Sequence, residues 1–220
     1  MPDTVKYDKD MMFFNQYSGL ELDFGKKLLT AQLRAGRIGW SDTRFSSTLT
    51  RGNEGAANFQ SAALTYSPGK FSFTAAYYHL NSDWFKNANY SRHADTDDAN
   101  IWEIASSYRF DKNTAITAAY AENTEADFYS HSHIVEFDYK GAKAAEQGSW
   151  GAYGAYRYFG GNTSIDPSVN GAMINTKGWE VGAKYIPIKN IQFHAIYFNG
   201  KQLVNNRDAS KLFGRVQLFF

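Results

Sequence analysis

Five histidines and no cysteine set the first limits on what chemistry this chain can do. His131 and His133 stand at i and i+2, hence on one side of an extended segment, where two imidazoles could bind a metal ion. Two ligands without a third make no zinc site, so a solvated loop-edge pair is expected and no metal. The acidic stretch Asp95-Thr96-Asp97-Asp98 offers oxygens to Ca²⁺ but lacks the EF-hand pattern, so it is expected to be a solvated loop. Asp166-Pro167-Ser168 is expected to be a turn. His79 is the best candidate base for a lipase-like Ser–His pair, yet no nearby serine is placed to be its nucleophile. Without cysteine there is no thiol nucleophile, no thiolate-held metal and no disulfide staple. No Gly-rich phosphate loop leads from a strand into a helix. Neither enzymatic chemistry nor a cofactor is expected.

The residues left with chemical capacity are charges and amides spaced at even offsets: Glu21, Asp23, Gln32, Arg34, Glu103, Arg109, Glu136, Asp138, Lys140, Arg157, Glu180, Lys184, His194 and Arg215. Even spacing in extended chain puts such groups on one face, opposite an apolar set. Lining a water-filled space, rows of charge create a transverse field that tunes which hydrated solutes pass. Alternatively, they form a solvated wall whose salt bridges only stiffen it. Both signs appear, so no strong ion preference follows. A formal net charge of +1 gives no reason to expect nucleic acid as a partner.

What must position these groups is a period of two, repeated in about eleven segments of about ten residues. The clearest is 177–186, where Trp179, Val181, Ala183 and Tyr185 oppose Gly178, Glu180, Gly182 and Lys184. In 211–220, Leu212, Gly214, Val216, Leu218 and Phe220 oppose Lys211, Arg215 and Gln217. The spacing predicts further strands over 18–25, 27–38, 57–67, 70–80, 100–110, 114–122, 131–141, 149–159 and 190–199. No amphipathic helix of useful length competes with them.

The connections alternate in length. Tight turns are predicted at Gly25-Lys26-Lys27, Ser67-Pro68-Gly69-Lys70, Asp111-Lys112-Asn113-Thr114 and Pro187-Ile188-Lys189-Asn190, with a modest one near 141–148. The other set, 39–56, 81–99, 123–130, 160–176 and 200–210, is mostly longer and polar. A soluble sandwich has no reason to sort its loops this way, whereas a transmembrane barrel has short turns on one side and long loops on the other. Aromatics gather near the strand ends, Tyr66, Phe71, Tyr108, Phe110, Tyr139, Trp150, Tyr185 and Phe220 on the short-turn side, Tyr78, Trp102, Tyr158, Trp179 and Tyr197 on the other. Two such belts suit the two headgroup levels of a bilayer.

Composition agrees. Aromatic residues make up 17% of the 220 residues, with 18 Gly and 4 Pro, while mean hydropathy stays at -0.50. One lipid face and one wet face give that mixture. No run of eighteen apolar residues suggests a membrane-crossing helix, and no signal-peptide pattern opens the chain. The fold class expected is all-β, an antiparallel transmembrane β-barrel.

The closing residues Leu212-Phe213-Gly214-Arg215-Val216-Gln217-Leu218-Phe219-Phe220 resemble the C-terminal signal of outer-membrane barrels. In that signature a terminal aromatic follows alternating hydrophobic positions and is read by the barrel-assembly machinery; Leu212, Val216, Leu218 and Phe220 match it. The whole chain, through its strand rhythm and aromatic-glycine segments such as WGAYGAYRYF, also resembles the C-terminal barrel portion of the S-layer-homology porins of diderm Firmicutes. The resemblance implies a water-filled outer-membrane channel for passive diffusion of small hydrophilic solutes and ions, contacts with outer-membrane lipids, and a homotrimer.

If Phe220 lies on the periplasmic side, as that signature implies, counting back makes 18–25 a strand that starts outside. Bacterial barrels normally have an even strand number and start in the periplasm. The expectation is therefore part of a barrel of about sixteen strands, with residues 1–17 the remnant of an extracellular or pore-constricting loop and 18–220 the barrel portion. Residues 4–14 as a twelfth strand are the alternative. They would allow a small closed barrel acting as an enzyme or anchor, although Lys6, Asp8, Lys9 and Asp10 make a poor lipid-facing wall.

Overall fold

Alternating side chains favour extended chain because each strand then presents one uniform face to each environment. In the computed structural model, which describes residues 7–12, 17–39, 56–81, 97–164, 167 and 170–220, this pattern builds one antiparallel sheet of 11 strands. They are β1 (Tyr17–Lys26), β2 (Leu29–Gly39), β3 (Ala56–Tyr66), β4 (Phe71–Asn81), β5 (Asp98–Arg109), β6 (Thr114–Asn123), β7 (His131–Lys140), β8 (Trp150–Phe159), β9 (Thr176–Ile188), β10 (Ile191–Gln202) and β11 (Asp208–Leu218). Each pairs with its neighbours in chain order, and β1 and β11 are the two edges of an unclosed sheet. Among the described residues no helix is long and apolar enough to cross a membrane.

The strands differ from the sequence reading at their ends. The predicted Pro187–Asn190 turn shrinks to Lys189-Asn190, because β9 continues to Ile188 and pairs with Ile191. Pro187 is accommodated at a register shift beside this hairpin, where the lack of an N–H does no harm. Asn190 takes the left-handed conformation (φ 64°) that closes the turn. The expected 200–210 loop is likewise mostly strand, since Lys201 pairs with Asp208 and only 203–207 connect β10 to β11. Residues 7–12 form turns and contribute no strand. The segments 1–6, 13–16, 40–55 and 82–96 lie outside the described residues, and with them the Asp95-Thr96 half of the acidic stretch. Asp166 and Ser168 of the expected turn lie outside them too.

The two faces of the sheet are unlike. One carries Leu20, Leu22, Leu33, Leu64, Ile104, Val135, Phe137, Val181, Leu212 and Val216, all exposed, with Leu20 and Leu212 more than three-quarters open at 76% and 77%. A continuous apolar surface of this size has no place in water, and no second sheet covers it among the described residues. The other, inner face is where residues 7–12 pack. Near the long loops it is apolar, which the sequence reading did not foresee. Ile38, Phe59, Leu80, Ile101, Ile134, Phe159 and Phe198 are buried there in one cluster with Met11 and Met12.

Candidate functional site

Toward the middle of the sheet the inner face becomes ionic, and register decides who meets whom. Glu136 of β7 and Glu180 of β9 both align with Ala155 of β8, while Arg157, one inner step further along β8, aligns with Gly178. The small partners leave room for the guanidinium to turn back between the two carboxylates. Its Nη2 donates to Glu136 Oε2 at 2.7 Å and its Nε to Glu180 Oε1 at 2.9 Å. Glu180 also accepts from the Tyr153 hydroxyl at 2.9 Å and from the Ala172 N–H at 2.7 Å. Tyr153 reaches it because Gly182 leaves the space beneath its ring empty; a Cβ there would strike the ring. Arg157 and Glu180 are 2% and 1% exposed. Charges so enclosed must be paired, because desolvation costs each several kcal/mol.

Residues 7–12 extend this network. Lys9 Nζ lies 3.0 Å from Glu136 and 2.7 Å from Asp138. Burial works against its charge, but the two carboxylates hold the ammonium above its ordinary value. Beside it, the Asp8 carboxylate accepts from the Met12 N–H at 2.8 Å and the Asp10 N–H at 3.0 Å, fixing the turn. Complete burial pushes this carboxyl up to about 7; the Met12 N–H opposes that shift and the Asp10 charge adds to it. The Tyr78 hydroxyl donates to Glu103 Oε2 at 2.8 Å, so Tyr7, 2.8 Å from the same hydroxyl, donates to Tyr78. Burial and the nearby Glu103 raise the Tyr7 phenol, keeping it a donor.

The other charged positions fall into smaller groups. Glu21 and Arg34 are direct cross-strand partners and pair at 2.6 Å, and Gln32 donates to Asp23 at 2.8 Å one step along. Lys184, His194 and Arg215 align across β9, β10 and β11. Arg215 lies over the Phe213 ring at 5.1 Å and 3.5 Å from the Asn170 amide. Arg109 ends β5 in an exposed position. Lys140 takes a left-handed φ of 59° at the end of β7 and sets its ammonium 4.6 Å from the centre of the Trp150 ring, on the apolar side of the short-turn rim.

The histidine pair also faces away from the ionic network. His131 and His133 are parallel on the apolar face, 6.0 Å apart, and both stack against Tyr158, at 4.6 and 5.0 Å. Among the described residues no group of His, Asp and Glu could hold a metal ion. His79 bonds Asn100 through Nδ1 at 2.8 Å. Leu212, Val216 and Leu218 are exposed on the apolar face, and Phe220 lies beyond the end of β11. Tyr78, expected in the long-loop aromatic belt, instead faces inward and is buried, and sequence reasoning missed Lys9, Tyr7 and Tyr153. The two lone tyrosines on strands looked like wall residues, and residues 7–12 carry no pattern that places them against the sheet.

Comparison with known proteins now identifies this arrangement. A family model described as Gram-negative porin matches residues 12–217. A solved structure titled "Structure of porin refined at 1.8 angstroms resolution" is similar over 91% of this chain and 61% of that one, with a TM-score of 0.52 and 14% identity. The chain thus spans about three fifths of the length of that porin. No curated protein matches. The family match does not reach the narrower likeness to S-layer-homology porins. One sheet of antiparallel strands, apolar outside and ionic within, is what the family requires, and the chain belongs to the Gram-negative porins, the transmembrane β-barrels of the outer membrane.

Proposed function

We propose that this chain forms most of the wall of a water-filled channel for passive diffusion of small hydrophilic solutes and ions. The observation that carries the reading is the segregation of faces. Charged groups cost about 2–4 kcal/mol at the midplane of a barrel's lipid face, so a wall that gathers Glu136, Asp138, Arg157, Glu180, Lys184 and Arg215 on its other face is built to turn only its apolar side to lipid. Glu21, Asp23, Gln32, Arg34, Glu103, Arg109 and His194 belong to the same lining. Residues 7–12, tied down by Lys9, narrow it. Backbone groups at an open edge in hydrocarbon are unpaired, at several kcal/mol each, so β1 and β11 require strands beyond these eleven to close the barrel. Assembly through the barrel-assembly machinery and trimerisation complete the reading, and both rest on resemblance to porins.

The test is conductance. Protein extracted from outer membranes and reconstituted in planar bilayers should give stepwise ohmic currents, with sugars excluded above a size limit. Correctly inserted protein that passes no current would sink the channel reading. It would favour a filled barrel acting as an anchor, with Met11, Met12, Phe59 and Phe198 as its plug.

A further inference from the structure

Both signs of charge occur on the inner face, but register sorts them into paired and unpaired groups. Glu21, Glu136, Asp138 and Glu180 each hold a cation, supplied by Arg34, Lys9 or Arg157. Lys184, His194 and Arg215 instead form a row of direct cross-strand partners on β9, β10 and β11. Among the described residues no carboxylate pairs with Lys184 or Arg215. Glu180, the acid of β9, is already taken by Arg157, Tyr153 and the Ala172 N–H.

The row is held in place by its surroundings. The Phe213 ring lies under the Arg215 guanidinium at 5.1 Å and meets His194 edge-on at 6.2 Å. Asn170, from the long connection after β8, reaches Arg215 at 3.5 Å. Lys184 and Arg215 are exposed and His194 is half-buried. The His194 Nε2 is shut off from solvent and has no hydrogen-bond partner among the described residues. Neighbouring strands lie about 4.8 Å apart, so the row is about 10 Å long. The Lys184 and Arg215 stems are long enough for both heads to meet over the imidazole. An anion that takes all three donors at once must be compact and carry more than one charge. A phosphate group holds about 1.5–2 negative charges near pH 7, on oxygens that point in several directions. Guanidinium forks and ammonium groups both recognise it. A carboxylate has one charge and two oxygens in one plane, and satisfies fewer of the donors. We propose that Lys184, His194 and Arg215 bind the phosphate group of small solutes, with Phe213 positioning two of the three donors. The site rests on the reading of this face as a channel lining, and it gives that channel a preference for phosphate-bearing solutes over other anions of similar size.

The probe is inorganic phosphate, added to protein extracted in a phosphate-free maltoside detergent, and the readout is saturable broadening of its phosphorus resonance. The K184Q/R215Q double variant should bind phosphate about tenfold more weakly than the wild type. Lys177→Gln, on the same strand but on the outer face with Trp179, should bind as the wild type does. Succinate should displace phosphate from the wild type about tenfold less well than glycerol phosphate does, a comparison that needs no change to the chain. Undiminished binding by the double variant, equal displacement by succinate, or no saturable broadening by the wild type overturns the proposal. Planar-bilayer currents separate it from the channel reading. Phosphate should reduce the chloride current of the wild type and leave that of the double variant as it was. Protein that binds phosphate through these residues but passes no current refutes only the channel. Conducting protein without a phosphate site refutes only the site.

Discussion

Arg157 shows how one side chain can hold three strands in register. Its fork spans Glu136 and Glu180 across β7, β8 and β9, and all three side chains are enclosed. Replacing such a network by apolar groups of like shape can be neutral, but removing Arg157 leaves Glu180 buried without a cation and Glu136 with Lys9 alone. Arg157→Ala should therefore destabilise the barrel by about 3–5 kcal/mol, read as a lower midpoint in denaturant-induced loss of the folded band on unheated gels. A double Glu136→Gln, Glu180→Gln change in that background should recover part of the loss. Alternation alone puts Glu136, Arg157 and Glu180 on one side of their strands, and that much is legible from the sequence. It says nothing of which residue stands beside which, because register depends on every intervening turn. The Lys9 contacts were invisible for a further reason, since a short segment with no period carries no mark of the surface it will pack on.

Among the described elements, residues 7–12 are attached to the wall by side chains rather than by backbone pairing. Their attachment should depend on pH. Asp8 is held above its ordinary carboxylate range by burial, so the docked state binds a proton more tightly than the released state does. Docking is then at full strength below about pH 4, where the carboxyl is protonated in both states. It weakens as pH rises and levels off above about 7. Of the groups around it, the Asp10 charge reinforces the trend, while Tyr7 and Tyr78, both hydrogen-bond donors, add none. Current through reconstituted channels should rise between about pH 4 and about pH 7, and Asp8→Asn should flatten the rise. A wild-type current independent of pH over that range would mean that this turn does not narrow the lumen. The strands themselves were largely legible, because ten-residue alternation leaves little freedom of placement. Their ends were not. Proline at 187 looked like a turn but sits at a register shift, and Lys201 with Asp208 looked like a loop because strands that outrun the hydrocarbon tolerate polar pairs.

For the whole molecule, the claim at stake is which face meets lipid. Val181 is 56% exposed in the middle of the apolar face, and Gly182 beside it faces inward under Tyr153. Val181→Arg should cost about 2–4 kcal/mol in refolding into bilayers. A similar change at Asn199, toward the loop rim, should cost about 0–1 kcal/mol. Equal penalties at the two depths would contradict a membrane running across β9. The family match and the unclosed sheet bear on the same scale: this chain covers about three fifths of the related porin, and on the proposed reading the field inside the channel also depends on strands facing this sheet.

Every strand of the sheet pairs only with its neighbours in the chain, from β1 through β11. This ordering bears on how fast such a wall can be made. Each hairpin closes a short loop, and loop-closure entropy rises only slowly with length, so no step waits for distant segments to meet until the final seam. Assembly can run as a zipper in which each finished edge templates the next strand. The slow step is then the seam between the first and last strands, and a chain stalled there would keep nearly all its native hydrogen bonds while still exposing two adhesive edges.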